Sequence, residues 1–407
     1  MRKRFDLENM IASRIKNLDK YVFAEMAEAK RKASSSGIEV IDLSSGNPDL
    51  PPPREIIESL KREADNPDNH RHPVYEGIIE LKDAISDWFS HRFNIRLAPK
   101  EEILVLIGSK EGLSHLPLAF LNQNDFAIVP NPAYPVYKRS VILSGGKVHE
   151  VPLIRENNWL PDLGKINKRI LDRARLLYLN YPNNPTGALA PKEFLEKAVK
   201  IARKNKIILC NDMAYSEITF DGQKSFSLME FPGAKENSLE FHSFSKTYSM
   251  SGWRLGFVVG NKKLIRVLRD LKTNFDSGVF HVIQRAAITA LSLPSQVTKE
   301  ICRTYENRRD VLVPGLKSLG FDTDLPKGGI FVWAKIPRRR NSRRFSLELL
   351  KKTGVLTTPG SGLGSVGEGY LRFSLTAPEQ KLKEALEKMK NTKEIWVRGT
   401  DPKEGLR

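Results

Sequence analysis

Along this chain, short and fully apolar runs alternate with stretches whose apolar residues recur at helical spacing. ILVLI (103–107), FAIV (126–129), RLLYLN (175–180), KIILC (206–210), LEFHS (239–243) and LGFVV (255–259) have the length and side-chain character of strands. Between them, stretches such as PKEFLEKAVKIARKNK (191–206) predict amphipathic helices. Strands that are apolar on both faces and separated by helices predict an α/β fold with a mostly parallel sheet covered on both sides. In such sheets the chemistry gathers at the carboxyl ends of the strands.

From about Leu293 the pattern changes. A long helical run, SQVTKEICRTYENRRDVLVPGLKSLG, leads to an apolar GGIFVWAKI, a helix near 345–353, a strand near GYLRFSL and a closing helix PEQKLKEALEKMK. This order predicts a smaller α+β unit over 293–407, a large unit over 49–292, and a segment 1–48, with a helix at 18–35, that packs on the smaller one. The tail NTKEIWVRGTDPKEGLR has little periodicity and is expected to be loosely held.

Composition narrows the class. In 407 residues, 40% are hydrophobic and 28% charged, as in ordinary globular proteins, and no apolar run is long enough for a membrane span. The start, MRKRFDLENM, is basic without a following apolar stretch or cleavage site, so no secretory signal is expected. Cys210 and Cys302 stand alone and no Cys/His spacing suggests a metal, so a reduced, cytoplasmic setting is the expectation. The net charge of +18 raises the question of nucleic acid. Yet the excess is spread along the chain, and the densest run, PRRRNSRRF (337–345), has no interleaved aromatics to stack on bases. A solvated basic loop, and attraction of dianionic acids, fit it better.

Six strand ends carry groups that could serve one ligand. IGSKEGLSHL (107–116) passes from a strand through Gly108 and Ser109 into a helix, whose free N–H groups suit a phosphate. NPAYPVY (131–137) places Tyr134 after the next strand, NYPNNPTG (180–187) offers the amide of Asn184, and NDMAYSEI (211–218) ends a strand with Asp212 and Tyr215. FHSFSKTYSMSGWRLGF (241–257) supplies Ser243, Ser245, Lys246 and Arg254. Singly these are weak: Ser often begins helices, Asp often caps them, and Tyr134 by itself marks only a turn. Together they name a dianion site, an acid, two phenols, an amide and one lysine, the recognition points of pyridoxal 5′-phosphate. Lys246 then has a reason to sit at a buried strand edge, as the amine that forms a Schiff base with the cofactor aldehyde.

With SFSKTYSMSGWRLGF, YPNNPTG and GYLRFSLT in this order, the chain resembles a class I aminotransferase of the fold-type-I pyridoxal-phosphate enzymes over nearly its full length. GSKEG, HPVYEG, DSGVF and GEGYLRFSLT look most like the LL-diaminopimelate aminotransferase branch and its aspartate-aminotransferase-like neighbours. The resemblance implies a seven-stranded, mostly parallel sheet and a homodimer with shared sites. Lys246 would hold the cofactor and act as the general base. Asp212 would face the pyridine nitrogen, Tyr215 and Asn184 the ring oxygen, and Tyr134 the ring face. Ser109, the backbone of Lys110, Ser243, Ser245 and Arg254 would cradle the phosphate. Arg372 would clamp the substrate α-carboxylate with its fork, beside Gly46, whose small size lets the backbone approach. Phe331 fits the substrate pocket and the core equally. The Lys110 side chain would meet a distal carboxylate, or simply be solvated.

Two positions depart from the pattern. His72 stands where relatives carry a tyrosine that reaches the partner's phosphate. Tyr75 stands where plant-type diaminopimelate enzymes carry a glutamate, with Glu76 one place later. The reach of Ser277 towards a second subunit stays open. The reaction implied is ping-pong transfer of an α-amino group from an L-amino acid to a 2-oxo acid, 2-oxoglutarate by expectation. LL-diaminopimelate or aspartate/glutamate would be the donor. A β-lyase of cysteine conjugates could use the same residues, and a non-catalytic regulatory or nucleic-acid-binding protein is the rival of another class.

Overall fold

Seven strands, β1 (Ile103–Leu106), β2 (Phe126–Asn131), β3 (Lys147–Pro152), β4 (Ala174–Asn180), β5 (Ile208–Asp212), β6 (Ser238–Ser243) and β7 (Gly256–Gly260), form the central sheet of the computed structural model. It describes residues 7–338 and 340–392. The tail beyond residue 392, and Arg339 within the basic run, lie outside the described residues. The strand order is β1-β7-β6-β5-β4-β2-β3. Neighbours pair in parallel except at β7, which is antiparallel to both β1 and β6.

The apolar strands are so because helices cover both faces. On one side Tyr178, Cys210, Leu239 and Phe241 pack with Leu113, Leu116 and Tyr137; on the other, Leu177, Leu209 and Phe257 pack with Phe89, Leu195 and Ala287. The helix Lys192–Lys204 buries Leu195, Ala198, Val199 and Ala202, a stripe at helical spacing. β3 escapes the apolar rule for a physical reason. It is an edge strand with only Val151 fully buried, so KVHEVP carries no apolar run.

A second sheet, in the order Thr358–Pro359, Tyr370–Ser374, Phe331–Lys335, Asp322–Thr323, is antiparallel throughout. The helices Ser295–Ser318, Ser342–Thr353 and Glu379–Asn391 pack on it around Leu312, Phe345, Phe373 and Leu382. Ile41–Asp42 pairs in parallel with Val355–Leu356. Residues 43–45 then run beside Tyr370–Ser374: Leu43 O accepts from Ser374 N at 2.8 Å and Ser45 O from Thr376 Oγ1 at 3.0 Å. Asp49 accepts both arms of the buried Arg308 fork at 2.7 and 2.8 Å, fixing the segment's far end. Gly46 is thereby carried over the carboxyl ends of β4–β6. Among the described residues, no helix is long and apolar enough to cross a membrane.

Candidate active site

A cavity of about 480 Å³ opens where β4, β5 and β6 end. Gly46, Ser109, Lys110, Tyr134, Asn184, Asp212, Tyr215, Ser243, Ser245, Lys246, Arg254, Phe331 and Arg372 all line it. Because β7 runs against its neighbours, Arg254, just before its start, reaches the same edge as the residues that end the parallel strands.

Lys246 lies in the short helical turn Phe244–Thr247, whose first N–H groups are capped when Ser245 N donates to Ser243 Oγ at 3.2 Å. Its Nζ donates to Gly46 O at 2.6 Å. Burial brings its pKa down to about 8, and the nearby Arg254 and Arg372 push the same way. A lysine with weakened hold on its proton is suited to nucleophilic and base chemistry.

Asp212 ends β5 with only 4% of its surface exposed. Its carboxylate accepts from Tyr137 Oη at 2.7 Å and from Ala214 N at 3.1 Å. Burial raises its pKa to about 6 against the pull of those two donors. The Asp212 carbonyl accepts from Asn180 Nδ2 at 2.7 Å, and Asn180 Oδ1 accepts from Asn184 N at 2.9 Å, so one amide ties the acid's strand to the NYPNNPTG loop. Burial pushes the phenols of Tyr134 and Tyr215 well above their ordinary range.

Arg372 is 1% exposed and makes no ion pair among the described residues. Its fork donates to Asn184 Oδ1 at 2.9 Å, Ser44 O at 2.8 Å and Thr358 Oγ1 at 3.3 Å, while its buried Nε has no partner. The guanidinium lies between Phe331, 3.9 Å from the ring centre, and Phe23 at 5.0 Å. Burial lowers its pKa to about 10. A buried cation neutralised by no acid is costly, and the cavity beside it is where an anion would remove that cost. A Cβ on Gly46 would come within 2.8 Å of the tip of the Phe331 ring, so a larger residue there would have to displace that ring.

The residues fit pyridoxal 5′-phosphate. Helix Ser109–Phe120 begins after Gly108, and its first residue lines the cavity. A side chain at Gly108 would sit 2.6 Å from Arg254 Nη2, and one at Gly256 would sit 2.6 Å from Ser109 N. Two glycines are therefore needed to bring a guanidinium and a helix start together as an anion cradle. The buried acid Asp212, and Lys246, complete the set.

His72 stands outside this cavity. It is exposed, lies against Tyr75 and hydrogen-bonds its own chain at Pro73 O, 3.2 Å away. Tyr75 and Ser277 are exposed as well, and Glu76 is occupied by Lys82 at 3.6 Å and Arg269 at 3.4 Å. Lys110 is exposed at the rim, its Nζ 5.3 Å from the ring centre of Tyr21. Sequence reasoning missed Tyr137, Asn180 and Phe23. Tyr137 and Asn180 stand inside motifs already quoted, but a tyrosine or asparagine beside a strand end carries no signal separating site from core. Phe23 comes from the N-terminal helix Val22–Ser35, far away in sequence.

Residues 38–389 match the family model for aminotransferase class I and II. LL-diaminopimelate aminotransferase of Halothermothrix orenii is 46% identical over 94% of this chain and 98% of its own length. That of Aquifex aeolicus is 43% identical over 94% and 99%. Substrate-bound BacF from Bacillus subtilis superposes with a TM-score of 0.90 at 37% identity, over 94% of this chain and 97% of that one. A probable N-succinyldiaminopimelate aminotransferase from Thermus thermophilus gives 0.86 at 32% identity, over 91% and 100%. The chain belongs to the class I and II aminotransferases and is a pyridoxal 5′-phosphate-dependent transaminase.

Proposed function

We propose that this transaminase moves the α-amino group of LL-diaminopimelate to a 2-oxo acid, 2-oxoglutarate by expectation, in ping-pong fashion. The observation that carries the reading is a buried arginine without an acid partner, Arg372, sharing one cavity with a lysine of weakened proton affinity, Lys246. The choice of donor is supported by full-length relatives named for it. The Lys110 side chain, a cation at the cavity rim, suits a donor with a carboxylate at each end.

When bound, the cofactor supplies the aldehyde carbon and an electron-withdrawing ring that stabilises charge left at Cα. Ser109, Ser243, Ser245, Arg254 and the Lys110 backbone would hold its phosphate; Asp212 would hold its ring nitrogen, Asn184 and Tyr215 its ring oxygen, and Tyr134 its face. Arg372 orients the substrate by its α-carboxylate, with Gly46 leaving room for the backbone. Lys246 Nζ would then take the proton from Cα and give it back at the carbon that the aldehyde supplies. Its lowered pKa leaves a usable neutral fraction near neutrality.

The same reading includes a cytoplasmic setting, the division into 1–48, 49–292 and 293–407, and a homodimer. The dimer is supported by exposed Val74, Tyr75, Ile79, Phe275 and Phe280, apolar side chains on neighbouring segments. His72 and Ser277 lie within that region and would be offered to the second copy's site. The test is a half-reaction: cofactor-loaded protein is mixed with single amino acids and the loss of cofactor absorbance is followed. Fast loss with LL-diaminopimelate and slow loss with aspartate is expected. Fast loss with aspartate or glutamate alone overturns the donor. Release of ammonia and pyruvate from cysteine conjugates in place of transfer would point to β-elimination.

A further inference from the structure

We propose that Tyr137 positions Asp212, donating its phenolic proton to one carboxylate oxygen so that the acid keeps one orientation and remains an acceptor towards the cavity. Tyr137 is fully buried, and its hydroxyl bonds Asp212 Oδ2 at 2.7 Å. Its ring is held on two sides, stacked on Tyr178 (5.2 Å between centres, 22° between planes) and edge-on to Tyr134 (6.0 Å, 86°). The donor thus cannot swing away, and an acid bonded to it cannot change rotamer without breaking a buried hydrogen bond.

Asp212 has little else to fix it. Among the described residues its carboxylate makes no ion pair, and its other donor is the backbone of Ala214, on its own strand end. Among the described residues, Tyr137 is therefore the one side chain that hydrogen-bonds this carboxylate. It is the second residue of the helix Val136–Leu143, three residues after Tyr134. The element carrying the ring-stacking tyrosine and the element carrying the acid are thereby joined by one bond. Phenylalanine would fill the same apolar space, so packing alone does not call for the hydroxyl. The other titratable groups that feel this carboxylate are Tyr134, Tyr215 and Cys210 around it and His242 on β6, itself 2.8 Å from Glu240.

The part of this role that concerns the cofactor rests on the function proposed above; the bond between the two side chains does not. The experiment therefore begins with cofactor-free protein. Infrared difference spectra of 13C-aspartate-labelled protein, assigned with Asp212→Asn, follow the Asp212 carboxylate through a pH titration. Tyr137→Phe is expected to raise the midpoint by about one pH unit, a tenfold gain in proton affinity. It is also expected to weaken pyridoxal 5′-phosphate binding about tenfold by equilibrium dialysis. Tyr178→Phe, which alters the stack without touching Asp212, is expected to leave the midpoint in place. An unmoved midpoint in Tyr137→Phe overturns the proposal, as does an equal shift in Tyr178→Phe, which would assign the effect to packing. A moved midpoint with unchanged cofactor affinity overturns the role towards the cofactor. If Tyr137→Phe does not fold, 3-fluorotyrosine at 137 keeps the ring and strengthens the donor. The midpoint should then fall, and an unmoved one refutes the bond.

Discussion

Replacing Lys246 by methionine should make the cofactor-free protein more stable at neutral pH. The folded chain lowers the lysine pKa from 10.5 to about 8, chiefly by burial. A fall of about 2.5 in pKa corresponds to roughly 3 kcal/mol of penalty for holding the ammonium inside the fold. Water entering the cavity makes this an upper bound, and losing the bond from Nζ to Gly46 O gives back about 1 kcal/mol. A net gain of about 2 kcal/mol remains for a side chain of similar length without charge. The sign of its pH dependence follows from proton counts. Below about pH 8 both folded and unfolded lysine are protonated and the penalty is complete. Between about pH 8 and about pH 10.5 the unfolded chain binds a proton that the folded chain does not, so wild-type stability rises relative to the variant. Above that window the difference closes. Urea unfolding of both cofactor-free proteins, at about pH 7 and again near pH 10.5, measures this directly. A variant less stable than wild type at the lower pH refutes the reasoning, and so does an advantage that fails to shrink at the higher one.

Two further substitutions bear on the site. Arg372→Lys keeps the charge but loses the fork that now reaches Asn184, Ser44 and Thr358. We expect about 2–3 kcal/mol less transition-state stabilisation, roughly a hundredfold in kcat/KM. A loss below about threefold in half-reaction rates would show that the fork is not what orients the substrate. Gly108→Ala forces a side chain into φ +76° and against Arg254 Nη2. Pyridoxal 5′-phosphate should then bind at least about tenfold more weakly, measured by equilibrium dialysis; unchanged affinity would remove Arg254 from the anion cradle.

Much of the sheet was legible because its strands are buried on both faces and read as apolar runs. β3 was not legible, since an edge strand with one covered face loses that signal. Nor was the reversed direction of β7, because LGFVV reads alike in either orientation. The strand ends named most of the residues now lining the cavity, from Ser109 to Arg254, and the resemblance added Gly46, Lys110, Phe331 and Arg372. Tyr137 stayed hidden because its role lies in a hydrogen bond across three strands, while its sequence neighbours suggest only a turn entering a helix. Phe23 was hidden for the opposite reason: it reaches Arg372 from the other end of the chain. His72 was legible as a departure, but its surroundings in a single chain are surface.

The pairing of strands distant in sequence also sets an order on the protein's synthesis. β1 is hydrogen-bonded within its sheet to β7 alone, so Ser109 and Arg254 meet only after residue 260 has left the ribosome. Ile41–Asp42 must wait longer, for Val355–Leu356, and Arg372 follows later still. A growing chain can thus bring the Arg254 guanidinium to the start of helix Ser109–Phe120 before the strand that carries Arg372 has been made.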